Sequence, residues 1–320
     1  MTRTDSDPIP VIALGPLHPR LNEGLDARFD VHVAPAGITP DEFTPAMRSA
    51  RAIVTSGGVG ASAAIMDGLP ALEIVGLFAV GYDKVDIAHA REKGIRVSYT
   101  PDVLTDDVAD LAVGLVYATV RNISANDRYV RAGKWDDGEV PAFCGRVTGA
   151  RIGILGLGRI GRAIADRLAP AAGEILYHNR KPAADASPRF TYVPDIIDFA
   201  RACDVMIVAT SGGPEARHLV DAAVIEALGP EGTLINISRG SVVDEDALVA
   251  ALVERQLGGA GLDVFAHEPH VPHALRTLDT VVLQPHQASA TRATRAAMAD
   301  LVLANLDAHF AGQPLPTPVV

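Results

Sequence analysis

Ile152-Gly153-Ile154-Leu155-Gly156-Leu157-Gly158-Arg159-Ile160-Gly161 is the stretch that decides how this chain folds. An apolar strand runs into a GxGxxG turn, and Ala163, Ile164 and Leu168 continue it at helical spacing. Gly156 allows a tight turn, Gly158 lets a pyrophosphate approach the backbone, and Gly161 lets the new helix pack close. Leu157, Arg159 and Ile160 fill the turn, where the first N–H groups of the helix can face the phosphates. GxGxxG alone is a weak sign and can be a structural glycine turn. The strand before it and the helix after it make a dinucleotide site the stronger reading.

The next apolar segment, Ile175-Leu176-Tyr177-His178, ends in Asn179-Arg180-Lys181. An NAD-specific site of this kind places a carboxylate here to accept from the ribose 2′-hydroxyl. Asn179 occupies that place, 18 residues after Gly161. A carboxylate repels a 2′-phosphate, whereas neutral Asn179 beside Arg180 and Lys181 would hold one through charge-assisted hydrogen bonds. The expected cofactor is therefore NADP, with NADPH preferred over NADH. The competing reading makes Arg180 and Lys181 decoration on a solvated turn.

Outward from this stretch the chain keeps the same rhythm. Ile152–Leu155, Glu174–Tyr177, Asp204–Ala209, Thr233–Ile237, Gly259–Val264 and Val281–Leu283 read as six strands with helices between them, the count for a nucleotide-binding sheet. Before it, Ile9–Leu14, Val31–Ala34, Ala52–Thr55, Leu72–Leu77 and Arg96–Tyr99 read as a smaller parallel layer. One long connecting helix is expected from Leu104 to about Gly133, opened by Thr105-Asp106-Asp107, and another from Ser289 to Phe310 that returns to the first layer. The fold class is α/β with two domains, which a length of 320 residues also favours, since single cores stop growing near roughly 250 to 300 residues.

Composition excludes several functions. With 48% hydrophobic and 21% charged residues the chain is globular rather than disordered. A net charge of -11 argues against a nucleic-acid partner. Cys144 and Cys203 have neither CxxC spacing nor His companions, so no metal site is expected and both read as reduced, semi-buried residues. Met1–Pro10 lacks the apolar core of a secretory signal, so a cytoplasmic location is expected. Ala112–Val120 is about half of the roughly 20 apolar residues a bilayer span needs, so no membrane partner is expected.

Three segments at successive strand ends carry chemistry: Asn236-Ile237-Ser238-Arg239-Gly240-Ser241-Val242-Val243-Asp244, Gly261-Leu262-Asp263-Val264-Phe265-Ala266-His267-Glu268-Pro269 and Gln284-Pro285-His286-Gln287-Ala288-Ser289. Open α/β sheets bind ligands at these ends. With Ala79–Asp86, Thr100–Asp110, Arg128–Trp135, the glycine motif and Gly213–His218, in this order, the chain resembles the D-isomer-specific 2-hydroxyacid dehydrogenase family. The resemblance is nearly chain-long and points to the glyoxylate/hydroxypyruvate and hydroxyphenylpyruvate reductase branch.

That resemblance implies a Rossmann-type doubly wound domain over 101–289, with a dimerisation helix and arm at about 104–140. A smaller flavodoxin-like α/β substrate domain is implied from 1–100 and 290–320. It implies a homodimer, and a small 2-oxo acid such as glyoxylate or hydroxypyruvate as substrate. His286 would protonate the carbonyl oxygen, and Glu268 would hydrogen-bond that imidazole and favour its charged form. Arg239 would bind the substrate carboxylate and polarise the keto oxygen. The N–H groups of Val80 and Gly81 would hold the other carboxylate oxygen, and Leu77, Phe78, Trp135 and Ser289 would line the pocket, with a core or dimer-interface place as the other reading of Trp135. Asp263 would orient the nicotinamide carboxamide, with Thr105 and Ile237 also among the cofactor contacts. Gln287 and Ala288 depart from the family's common pattern after the histidine and bear on pocket shape alone. The alternatives are a 2-ketogluconate or hydroxyphenylpyruvate reductase of the same family and, more remotely, a nicotinamide-sensing corepressor-like binding protein.

Overall fold

The computed structural model describes residues 8–320, so the sequence reading of the first seven residues lies outside what is described. The chain forms two compact units, one from the residues up to Leu104 together with Ala290–Val320, the other from Thr105–Ser289.

The first unit is a five-stranded sheet of β1 (Pro10–Leu14), β2 (Asp30–Ala34), β3 (Ala52–Ser56), β4 (Ile74–Phe78) and β5 (Arg96–Ser98). Its order is β2-β1-β3-β4-β5, with every pair parallel, which is the flavodoxin-like arrangement. All five residues of β1 and of β4 are buried, as a parallel sheet covered on both faces requires. The helix Arg292–Phe310 covers β4 and the helix Pro19–Asp26. It starts three residues later than the sequence suggests, because Thr291 caps it by accepting from the Thr294 N–H at 3.1 Å. Gly24 is what lets the two helices touch, since a Cβ there would sit 2.3 Å from Leu303.

In the second unit, β6 (Arg151–Leu155), β7 (Glu174–His178), β8 (Phe190–Tyr192), β9 (Val205–Val208), β10 (Thr233–Asn236), β11 (Gly259–Leu262) and β12 (Val281–Leu283) form a parallel sheet. Its order, β12-β11-β10-β9-β6-β7-β8, is the Rossmann order with one extra strand at the far edge. The strand order reverses between β6 and β9, so ligands belong at the carboxyl end of β6. The sequence suggested six strands and the structure has seven. The missed β8 is a three-residue edge strand with one buried side chain, Phe190, too short to show a period.

The connecting segment also differs from the single helix expected. It is two helices, Thr105–Val120 and Ile123–Arg131, separated at Asn122, whose φ of +52° is left-handed. Asn is among the few residues that tolerate this conformation, so it can end one helix and turn the chain into the next. The first helix lies directly on β11, where Gly261 makes room: a Cβ there would be 2.8 Å from the Thr119 hydroxyl. Arg167 ties that helix to Arg159–Leu168 through Asp106 at 2.8 Å and Asp110 at 2.7 Å.

The two cysteines are not alike. Cys203 is buried, and that burial pushes its thiol up to about 12, which keeps it protonated and inert. Cys144 is exposed rather than semi-buried and accepts from Arg121 at 3.2 Å. No helix among the described residues is long and apolar enough to cross a membrane.

Candidate active site

The glycine turn has the cradle a pyrophosphate requires. Gly156 adopts φ +102°, and a Cβ there would meet the Thr210 N at 2.6 Å. Gly161 packs so closely that its Cβ would lie 2.1 Å from the Gly156 carbonyl oxygen. At Gly158, by contrast, an added Cβ meets nothing within 4 Å. Gly158 also caps the helix Arg159–Leu168 without a side-chain bond, so the helix N-terminus opens toward the turn, where it can receive an anion. This concave, donor-lined turn fits a dinucleotide.

The tip of β7 holds the turn from beside it. Asn179 accepts from the Leu157 N–H through Oδ1 at 2.7 Å, and the Gly156 N–H donates to the His178 carbonyl at 2.9 Å. Arg180 and Lys181 are exposed next to it, and Arg180 pairs with Glu215 at 2.6 Å. Thr105 is half-buried in the first turn of its helix, and Ile237 is buried just beyond β10.

On the same edge of this sheet the structure brings His286 and Glu268 together. Nδ1 of His286 lies 2.8 Å from Glu268 Oε2, and Glu268 Oε1 accepts from the Phe265 N–H at 3.1 Å. Burial pulls the Glu268 carboxyl up, but the His286 hydrogen bond and charge, the Phe265 amide and the nearby Arg239 charge outweigh it and leave it lowered. A lowered carboxyl contributes above its ordinary range, so this pairing is intact at neutral pH and is lost only as pH falls through the lowered value. Nδ1 is engaged, which leaves Nε2 as the atom that can hand a proton to a substrate. Arg239 is half-buried in the loop after β10.

His286 has φ +54°, uncommon for a residue with a side chain. Asp263 fixes it there. Its carbonyl accepts from the His286 N–H at 2.9 Å, and its two carboxylate oxygens accept from Gln287 at 2.7 Å and Ala288 at 3.0 Å. Asp263 is fully buried, and burial pushes its carboxyl up while those two amides pull it back part of the way. Whatever it does for a nicotinamide carboxamide, each of its carboxylate oxygens also anchors the histidine loop.

Two supporting residues went unnoticed in the sequence. Glu245 accepts from the Ala266 N–H at 3.0 Å and so braces the loop that carries Glu268. Gly240 lies against the backbone of that loop, where a Cβ would be 1.9 Å from the Phe265 carbonyl carbon. A glycine directly after the arginine was the available signal, because it marks a close backbone approach.

The first unit carries the substrate-loop residues. Val80 and Gly81 follow β4, and their N–H groups donate to no acceptor among the described residues, which leaves two donors for an anion. Leu77 is a correction: it is fully buried in the core of this unit and lines nothing. The next residue along the strand points to the other face, and Phe78 stacks on His18 with Arg295 5.6 Å over its ring. In the second unit Ser289 is half-buried and Trp135 is 67% exposed. No group of three or more His, Cys, Asp or Glu side chains among the described residues is placed to hold a metal ion.

A glycine turn at the switch point of a parallel sheet, with an imidazole–carboxylate pair and a guanidinium at neighbouring strand ends, defines a dinucleotide-dependent oxidoreductase. The family model described as D-isomer specific 2-hydroxyacid dehydrogenase, NAD binding domain, matches residues 113–288. A hydroxyphenylpyruvate reductase of Plectranthus scutellarioides is 48% identical over 315 residues, 98% of this chain and 99% of that one. A 2-ketogluconate reductase of Gluconobacter oxydans (strain 621H) is 43% identical over 97% and 98% of the two chains. Among solved structures, the NADPH-dependent glyoxylate/hydroxypyruvate reductase of Sinorhizobium meliloti, in complex with NADP and malonate, matches with a TM-score of 0.92 at 42% identity, covering 98% of this chain and 97% of that chain. The chain belongs to the D-isomer-specific 2-hydroxyacid dehydrogenase family, in its reductase branch, and its chemistry is the reduction of 2-oxo acids.

Proposed function

We propose that the chain reduces glyoxylate or hydroxypyruvate to the D-2-hydroxy acid with NADPH. The observation that carries the reading is the 2.8 Å contact of His286 with Glu268, next to Arg239 on the edge of the sheet that bears the glycine turn. Arg239 binds the carboxylate of the substrate and polarises its keto oxygen, and the N–H groups of Val80 and Gly81 are the anion donors that the first unit offers. Ser289 and Trp135 line the pocket. His286 gives a proton from Nε2 to the carbonyl oxygen, while Glu268 stabilises the imidazolium and fixes its ring. Bound nicotinamide supplies the hydride. The turn Gly156–Gly161, Thr105 and Ile237 would hold it, and Asp263 would orient its carboxamide.

NADPH is favoured because Asn179 puts no charge at the ribose while Arg180 and Lys181 offer two cations. The Arg180–Glu215 pair does not oppose this, since an exposed ion pair is worth roughly 0 to 1 kcal/mol and a phosphate dianion displaces it. The relatives' substrates, hydroxyphenylpyruvate and 2-ketogluconate, would use the same residues, so they belong in the test. A steady-state panel of glyoxylate, hydroxypyruvate, hydroxyphenylpyruvate, pyruvate and 2-ketogluconate with each nicotinamide is expected to give the highest kcat/KM for the first two with NADPH. The double variant Asn179→Asp, Arg180→Ala is expected to move the NADPH/NADH ratio toward NADH by on the order of 10²-fold, as two charge-assisted contacts are lost. An unchanged ratio would refute the cofactor argument.

A homodimer formed through the segment of about 104–140 accompanies this reading. That segment exposes Ile123, Val130, Trp135 and Val140, with Phe143 fully exposed just beyond it, and such exposed apolar side chains suit a second copy. Sedimentation equilibrium should give twice the chain mass, and Phe143→Glu with Val130→Glu should give the monomer; a monomeric parent chain would end this part of the proposal.

A further inference from the structure

We infer that Asn236 is the positioning residue for Arg239: from one buried side chain it fixes the peptide before the arginine and the arginine's own carbonyl, and thereby aims the guanidinium. Asn236 is the last residue of β10 and is 1% exposed. Its Oδ1 accepts from Ser238 twice, from the N–H at 3.0 Å and from the hydroxyl at 2.9 Å. Its Nδ2 donates to the Arg239 carbonyl at 3.1 Å. The Arg239 guanidinium in turn donates through Nη1 to the Ser238 carbonyl at 2.8 Å. The amide side chain therefore holds Ser238, and Ser238 holds the fork.

The surroundings make this hold decisive. Arg239 is extended, with φ -139° and ψ 145°, and leads into a single turn at Gly240–Val242. Nothing in that short loop fixes its aim by repeating structure. The strand beneath is fixed, because the Asn236 carbonyl accepts from the Asp263 N–H at 3.0 Å. The same two residues, side by side at the tips of β10 and β11, thus govern both loops, with Asp263 holding His286 and Asn236 holding Arg239. Only an amide suits this place. A carboxylate could accept from Ser238 but not donate to Arg239, and alanine would strand two donors of Ser238, itself 7% exposed.

The inference rests on the reading of Arg239 as the clamp for the substrate carboxylate, and the experiment separates the two. With saturating nicotinamide, KM and kcat for the 2-oxo acid are measured for Asn236→Ala, Asn236→Asp and Arg239→Ala. The nicotinamide dissociation constant and Tm of each are measured as well. Asn236→Ala is expected to raise the 2-oxo acid KM about 30-fold and lower kcat less, with the nicotinamide constant within about twofold. A role in folding alone would instead lower kcat and Tm and leave KM unchanged, since fewer but normal sites remain. Asn236→Asp keeps the shape and the Ser238 bonds, so it should fold like the parent and raise KM by about 5-fold. An unchanged KM in Asn236→Asp and in any folded Asn236→Ala, with a raised KM in Arg239→Ala, overturns the inference alone. An unchanged KM in Arg239→Ala overturns the clamp itself.

Discussion

Replacing His286 by asparagine is expected to lower kcat for 2-oxo acid reduction by about 10³-fold to 10⁴-fold while leaving the nicotinamide dissociation constant within about twofold. The backbone chooses the replacement. His286 has φ +54°, and asparagine, like histidine, accepts the left-handed region, whereas most side chains strain it. With Asn in place, the amides of 286, 287 and 288 can keep their bonds to Asp263, so the loop should hold its course. What is lost is the acid. An amide cannot release a proton to the carbonyl oxygen. The measurement is stopped-flow reduction with parallel fluorescence titration of the nicotinamide. Near-normal turnover would remove His286 from the chemistry, and loss of nicotinamide binding would make it a cofactor contact instead.

Which parts of this were legible in the sequence follows from how local each cause is. The glycine turn could be read because each glycine answers a constraint set within a few residues, and the structure repeats those constraints as close approaches at Gly156 and Gly161. The parallel strands of both sheets, apart from the short edge strand β8, followed from the alternation of apolar runs. Arg239, Glu268 and His286 were legible as ordered segments at strand ends, but their contact distances were not, since they join residues far apart in sequence. Leu77 and Phe78 could not be told apart in the sequence, because both are buried in a strand covered on both faces; only the structure shows that Leu77 belongs to the core cluster while Phe78 meets His18. The part Asp263 plays in the histidine loop was hidden for a deeper reason. Its carboxylate reaches amides 24 and 25 residues away, which no spacing rule foretells. The break at Asn122 was hidden because Asn in an apolar helical pattern is a weak signal until its left-handed φ is seen.

The second large effect concerns geometry rather than charge. Arg239→Lys keeps a cation after β10 yet is expected to lower kcat/KM for the 2-oxo acid by about 10²-fold to 10³-fold, through both a raised KM and a lowered kcat. One guanidinium nitrogen donates to the Ser238 carbonyl, and a planar fork can meet the carboxylate and the keto oxygen of the substrate together. An ammonium bonded to Ser238 can point its charge at one of these but cannot span both. The pH dependence separates fork from charge. Burial raises the Glu268 carboxyl, and the positive charge of Arg239 is among the influences that bring it down. Lysine preserves that charge, so the acid limb of the kcat/KM profile should stay where it is in the parent. Arg239→Ala removes the charge, lets the Glu268 carboxyl rise, and should move the acid limb to higher pH. If Arg239→Lys instead retains most of the parent's kcat/KM, a point charge is sufficient at this position, and the role of the fork in holding the substrate falls with it.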